Sequence, residues 1–205
     1  MLILDAHQDI AYNALAFDRD YRQSALLHRK REAGLGYAAA TMGLPDALLG
    51  RVGLVFATLF TAPESTWDWS VPGHSPVYRT PQEAYEQAMH QLDYYHRIAD
   101  STDKVQIVTS AADLDAVLAC WGEGKDIPDH RQGLVLLMEG ADPIIEPRQF
   151  EEWYARGVRI VGPAWQATRY SAGTGAPGPL SRLGYELLEV MASFNAILDL
   201  SHMAE

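Results

Sequence analysis

The stretch "GLVLLMEG" at residues 133–140 restricts this chain more than any other. A near-continuous apolar run of this kind reads as a strand covered on both faces, and such strands belong to parallel sheets packed by helices. Four other stretches read as main strands: "LILDAHQDI" at 2–10, "VGLVFATLF" at 52–60, "VRIVGPAW" at 158–165 and "AILDLSH" at 196–202. "VQIV" at 105–108 is a minor one. Helical patterns lie between them. "TPQEAYEQAMHQLDYYHRIA" carries Ala84, Ala88, Leu92 and Tyr95 at spacings of three and four. Thr80 is its predicted N-cap, Pro81 its first helical residue, and Glu83 completes a capping box. "SAADLDAVLAC" opens a helix capped by Ser110, with Asp113 three residues on. "EPRQFEEWYARG" runs from Pro147 to a stop at Gly157, and "SRLGYELLEVMASFN" has an apolar stripe at Leu183, Leu187, Met191 and Phe194. Residues 11–51 read as a long functional loop, since plain connections are far shorter.

Apolar strands alternating with amphipathic helices predict an α/β protein with a parallel sheet, read here as one domain over residues 1–205. An open doubly wound sheet and an eight-stranded (β/α)8 barrel both satisfy the alternation. Polar residues help to choose. His7 and Asp9, Glu139, and His202 all fall at the C-terminal ends of strands, where both architectures place their sites. Ligands spread over three strand ends suit a barrel mouth better, because a barrel brings every strand end to one rim.

Side chains alternate along a strand, so Asp5, His7 and Asp9 share one face. Burying an imidazole with two carboxylates is costly unless something pairs with them, and a metal ion is one such partner. Zinc accepts histidine nitrogen and carboxylate oxygen, and a carboxylate can serve two ions. Glu139 ends the apolar run and needs a partner there; His202 adds another imidazole. Each alone has an ordinary structural reading, as a salt-bridge acid or a satisfied core histidine. Together they point to a metal site.

The net charge is −11, from 27 acidic against 16 basic residues, which repels a nucleic-acid backbone. No apolar run reaches the ~20 residues of a membrane span. The single Cys120 forms no internal disulfide, and no basic leader precedes the first strand, so a soluble, cytoplasmic protein is expected. "GTGAPG" at 173–178 superficially matches a dinucleotide fingerprint but follows no strand closely and holds Pro177, so it reads as a loop. "STWDWSVPGHSP" at 65–76 reads either as a loop over the mouth of the site or as a surface insertion. His28, His74, His90, His96 and His130 lack ligand-like neighbours.

The blocks "DAHQD", "LLMEG", "GVRIVGPAWQATRYSAGT" and "ILDLSH" resemble, in order and spacing, the membrane (renal) dipeptidase family, whose bacterial members are soluble. The resemblance covers essentially the whole chain. It implies a (β/α)8 TIM barrel of the metal-dependent hydrolase type with two zinc ions: His7 and Asp9 on the first, Glu139 bridging both at the catalytic centre, His202 on the second. It implies hydrolysis of a dipeptide by a water that the ions activate. Asp5 is expected to orient His7 from behind, as carboxylates do for metal-bound imidazoles, and Asp199 to act similarly. Arg169 and Tyr170 are candidate substrate contacts. Trp165 stands where many members carry a substrate-binding histidine, so that role does not transfer; a pocket altered in this way leaves another amide or a lactone open as substrate. About five of the barrel's eight strand–helix units are present. The resemblance therefore implies the N-terminal portion of a barrel, an inactive metal-binding fragment, or a homodimer or other chain that completes the barrel.

Overall fold

The computed structural model describes residues 1–64 and 77–204. In chain order the elements are β1 (Ile3–Gln8), α1 (Ile10–Phe17), α2 (Ala25–Arg31), α3 (Leu44–Leu49), β2 (Val52–Phe60), β3 (Ala62–Pro63), β4 (Val77–Tyr78) and α4 (Pro81–Ser101). There follow β5 (Val105–Ile107), α5 (Ala111–Ala119), β6 (Gln132–Glu139), α6 (Phe150–Ala155), β7 (Val158–Gly162), β8 (Ser171–Gly173), β9 (Ala176–Leu180), α7 (Arg182–Ser193) and β10 (Ile197–Leu198).

The apolar run of β6 lies in the middle of a parallel sheet ordered β1-β2-β6-β7-β10, with β5 paired to the start of β6. The sheet curls into half a barrel. Leu134, Leu136 and Met138 of β6 pack into the main core with Leu92 and Tyr95 of α4, all fully buried. Each such side chain contributes about 1.5–3 kcal/mol by leaving water. Alternation turns Leu137 the other way, into a groove on the concave face shared with Phe56, Ile160 and Ile197. Glu139 has the parity of Leu137. The register sets Glu139 beside Phe60 on one side and Gly162 on the other, so the C-terminal ends of three strands stand level. At the sheet's two edges Ile3 and Leu4 of β1, and Ile197 and Leu198 of β10, are exposed.

The main strands and the helix caps at Thr80 and Ser110 follow the sequence reading, and Ser181 adds a third cap. Thr80, Ser110 and Ser181 each accept from the backbone N–H three residues on, as N-caps do. Five details differ. Glu83 accepts from the N–H of Arg79 rather than that of Thr80, so the box closes one residue early. Residues 11–51 are not a long loop but hold three short helices. Asp46 accepts from the Ser24 hydroxyl and the Ala25 N–H, joining the starts of α2 and α3. Arg19 clasps Glu32 through two 2.7 Å bonds. Helices this short draw their stability from such tertiary ties rather than from propensity, which is why periodicity did not show them.

"GTGAPG" is the turn of a hairpin: β8 and β9 pair antiparallel, and Gly175 takes the positive φ of 76° that a tight turn requires. The predicted last strand shrinks to Ile197–Leu198, and His202 sits beyond it on a turn with φ 65°. Leu183, part of the predicted stripe of α7, is exposed, while Leu187 and Met191 are buried. Residues 65–76, with the possible mouth loop and His74, lie outside the described residues.

Candidate metal centre

His7 reaches the rim from the end of β1, the edge strand. Asp9 lies just past that strand and occupies the N-cap position of α1. Tyr95 holds this junction from below: its hydroxyl accepts from the Ala11 N–H at 3.1 Å and donates to the Thr58 carbonyl at 2.8 Å. Glu139 rises from the central strand, and His202 arrives from the turn after β10.

The four side chains converge. His7 Nε2 lies 3.5 Å from Asp9 Oδ1 and 3.5 Å from Glu139 Oε2. His202 Nε2 lies 3.2 Å from Glu139 Oε1. Each oxygen of the one buried carboxylate thus faces its own imidazole. Ligand atoms of His7, Asp9 and Glu139 all lie within 4.8 Å of one another. Among the described residues, these two rings are the ion-pair partners of the Glu139 carboxylate.

The electrostatics follow from this crowding. Burial, then the Asp9 charge, push the Glu139 carboxyl up to about 7, against the pull of His7. The hydrogen bond to Asp9 leads in raising the His7 imidazolium to about 9, with the Glu139 and Asp199 charges adding to it. A buried carboxylate beside a second carboxylate and two imidazoles is a donor set of nitrogen and oxygen that fits a divalent transition metal.

Two supporting residues carried no signal in the sequence. Thr58, fully buried on β2, donates from Oγ1 to Asp9 Oδ1 at 2.6 Å. Thr174, at the hairpin tip, places its Oγ1 3.1 Å from His202 Nδ1, and a bridge between Gly173 and Met203 ties the same hairpin to the His202 turn. Neither threonine lies near a ligand in sequence, so only the fold brings them there.

The remaining predicted residues take varied places. Asp5 accepts from the backbone N–H of His7 at 3.1 Å and from the Gln8 side chain at 2.8 Å, so its hold on the ring runs through the main chain. Asp199 accepts from the Ser201 N–H at 2.9 Å and so shapes the turn that carries His202. Trp165 does line the site, together with Phe60 and the four converging residues. Arg169 does not. Its guanidinium bonds Asp142 Oδ1 at 3.2 Å and the carbonyls of Asp142, Ile144 and Ile145 at 2.9–3.0 Å. Tyr170 is buried and donates to the Ile144 carbonyl. These two side chains brace the loop after β6. No helix among the described residues is long and apolar enough to cross a membrane.

The fold has counterparts among solved structures. The chain superposes on a probable dipeptidase, PvdM, from Pseudomonas aeruginosa with a TM-score of 0.71 at 19% identity, covering 99% of this chain and 47% of that one. It superposes on a metallopeptidase described as dipeptidase AC with a TM-score of 0.69 at 17% identity, covering 100% of this chain and 57% of that one. These neighbours share the TIM-barrel fold, of which the curled sheet is a part. In sequence the chain is 29% identical over 136 residues to an uncharacterised protein from the PQQ-III 3′ region of Acinetobacter calcoaceticus. It is 31% identical over 118 residues to an uncharacterised protein from the pqqA 5′ region of Klebsiella pneumoniae. The matched region makes up 40% of each of these relatives. The family model for membrane dipeptidase, peptidase family M19, matches residues 1–205. A continuous family match, a barrel-type sheet and a rim that gathers two histidines and two carboxylates agree: this chain belongs to the membrane dipeptidase family, peptidase family M19.

Proposed function

We propose that this chain carries the metal-binding half of a zinc-dependent dipeptidase that hydrolyses the peptide bond of small dipeptides. The observation that carries the reading is Glu139, whose two oxygens face His7 and His202 separately, at 3.5 and 3.2 Å. His7, Asp9 and Glu139 would hold one zinc ion, and Glu139 and His202 would share in a second. When bound, such ions lower the pKa of a water to about 7 and polarise a carbonyl.

The chain's own residues prepare that chemistry. Thr58 fixes Asp9 by donating to Oδ1. With Thr174 accepting from the Nδ1–H of His202, the lone pair is left on Nε2, the nitrogen that faces Glu139. The level strand ends set Glu139 at the bottom of the rim, and the acidic lining suits the free amine of a dipeptide. Further strands, from more chain or from a second copy, would meet the exposed edges at Ile3, Leu4 and Ile197. A cytoplasmic location accords with this reading.

Metal analysis of the purified chain tests it. Zinc is expected to copurify with the chain, and His7→Ala and Glu139→Ala should each lose it with an unchanged circular dichroism spectrum. Full zinc content in both variants would overturn the assignment.

A further inference from the structure

Beside the carboxylates, the site has a wall of a different character. Trp165 meets Phe60 edge to face, with ring centroids 4.9 Å apart at 73°. Behind Phe60 stands Tyr12, again edge on, at 5.1 Å. Hydrogen bonds within the protein hold the backbone at both wall residues. The side-chain amide of Gln91, buried on α4, bonds both the N–H and the carbonyl of Phe60. Thr168 donates to the Pro163 carbonyl at 2.6 Å, fastening the turn that carries Trp165. Gly140, at φ 85°, takes the left-handed backbone that turns the chain at the end of β6, in ordinary contact with Trp165.

The side chains lining this pocket are His7, Asp9, Phe60, Glu139, Trp165 and His202. Among the described residues that line it, none is a lysine or arginine, and the guanidinium of Arg169 is engaged elsewhere. The wall therefore offers a ligand an apolar ring surface and no cation. A preordered aromatic surface gains most from a side chain that buries area against it, because little ordering entropy remains to be lost.

We propose that Trp165 and Phe60 form a specificity wall that selects dipeptides with a large apolar side chain next to the scissile bond. This deepens, and rests on, the dipeptide reading above. Burial of a phenyl group against such a wall raises affinity about tenfold or more.

The test is calorimetric titration of the zinc-loaded chain with phosphinic analogues, which are not turned over, of glycylglycine, phenylalanylglycine, glycylphenylalanine and lysylglycine. One of the two phenylalanine analogues is expected to bind at least about tenfold more tightly than the glycylglycine analogue. Trp165→Ala should abolish that preference and Trp165→Phe should keep most of it. If Trp165→Ala fails to fold, as read by circular dichroism, Trp165→His carries the comparison and should reduce the preference. Equal binding of the glycine and phenylalanine analogues would overturn the wall while leaving the dipeptide reading intact. Tighter binding of the lysine analogue would overturn it too, by showing that the rings and acids hold a cation. No binding by any analogue would overturn the inference together with the reading beneath it.

Discussion

His202 faces Glu139 across 3.2 Å from a turn rather than from a strand end. A turn has no ladder of hydrogen bonds to hold its side chains, so the position of this ring depends on what touches its other nitrogen. That contact is Thr174 Oγ1 at 3.1 Å. Thr174→Val should weaken zinc binding by about 10–100-fold, the usual cost of losing a partner behind a metal-bound histidine. Competition with a chelator of known affinity measures it. An unchanged affinity would mean the hairpin does not orient the ring.

Thr58→Val keeps the shape of a fully buried side chain and removes the hydrogen bond to Asp9. A hydrogen bond to a charged group is worth about 1.5–3 kcal/mol. The metal-free variant should lose stability in that range in urea unfolding, and unchanged stability would show that Asp9 is held by other means.

Arg169 separates bracing from substrate contact. Arg169→Ala leaves Asp142, which is 7% exposed, with Tyr78 as its remaining side-chain partner, takes the guanidinium from three carbonyls of the loop after β6, and leaves only that of Ile144 with another side-chain donor, Tyr170. The expected loss is about 3 kcal/mol of stability, since removing one partner strands the other. Zinc content should be retained. A variant of unchanged stability would speak against the bracing role.

Acid should expose one helix cap. The Asp113 carboxyl is held down to about 2 from an ordinary 3.8, first by the Thr109 N–H and then by the Ser110 and Thr109 hydroxyls. A folded value below the unfolded one means the contribution is complete above the unfolded value and is lost as pH falls through the folded one. The gap in urea midpoint between the wild-type chain and Asp113→Asn should be constant above roughly pH 5 and close towards the bottom of the acid range. A gap that does not change with pH would assign the effect to side-chain shape instead.

Much of this molecule was legible as sequence. Val52–Phe60 and the run to Glu139 stand out because strands buried on both faces leave few alternatives. Thr80 and Ser110 announce their helices because capping is local chemistry. His7, Asp9, Glu139 and His202 stood out as polar residues at apolar strand ends. The rest depended on contacts between distant segments. Short helices α1 to α3 are fixed by pairs such as Arg19 with Glu32, and nothing local marks Thr58 or Thr174 as supports for a site. Arg169 is a different case. A basic residue near a site suggests an anion, but the nearest acceptors were the protein's own carbonyls.

The sheet order puts the two histidines at opposite margins of one surface: His7 on β1, His202 just beyond β10, and Glu139 on the strand midway between. Flattening or tightening the curl would carry the two rings in opposite senses relative to the carboxylate. The cluster is thus a clasp across the width of the sheet, joining the first strand of the chain to its last. An ion held there would stabilise that curvature, by about 2.7 kcal/mol when free ion stands at 100 times its dissociation constant. The coupling runs both ways: whatever grips the exposed edges would be read out as a change in metal affinity.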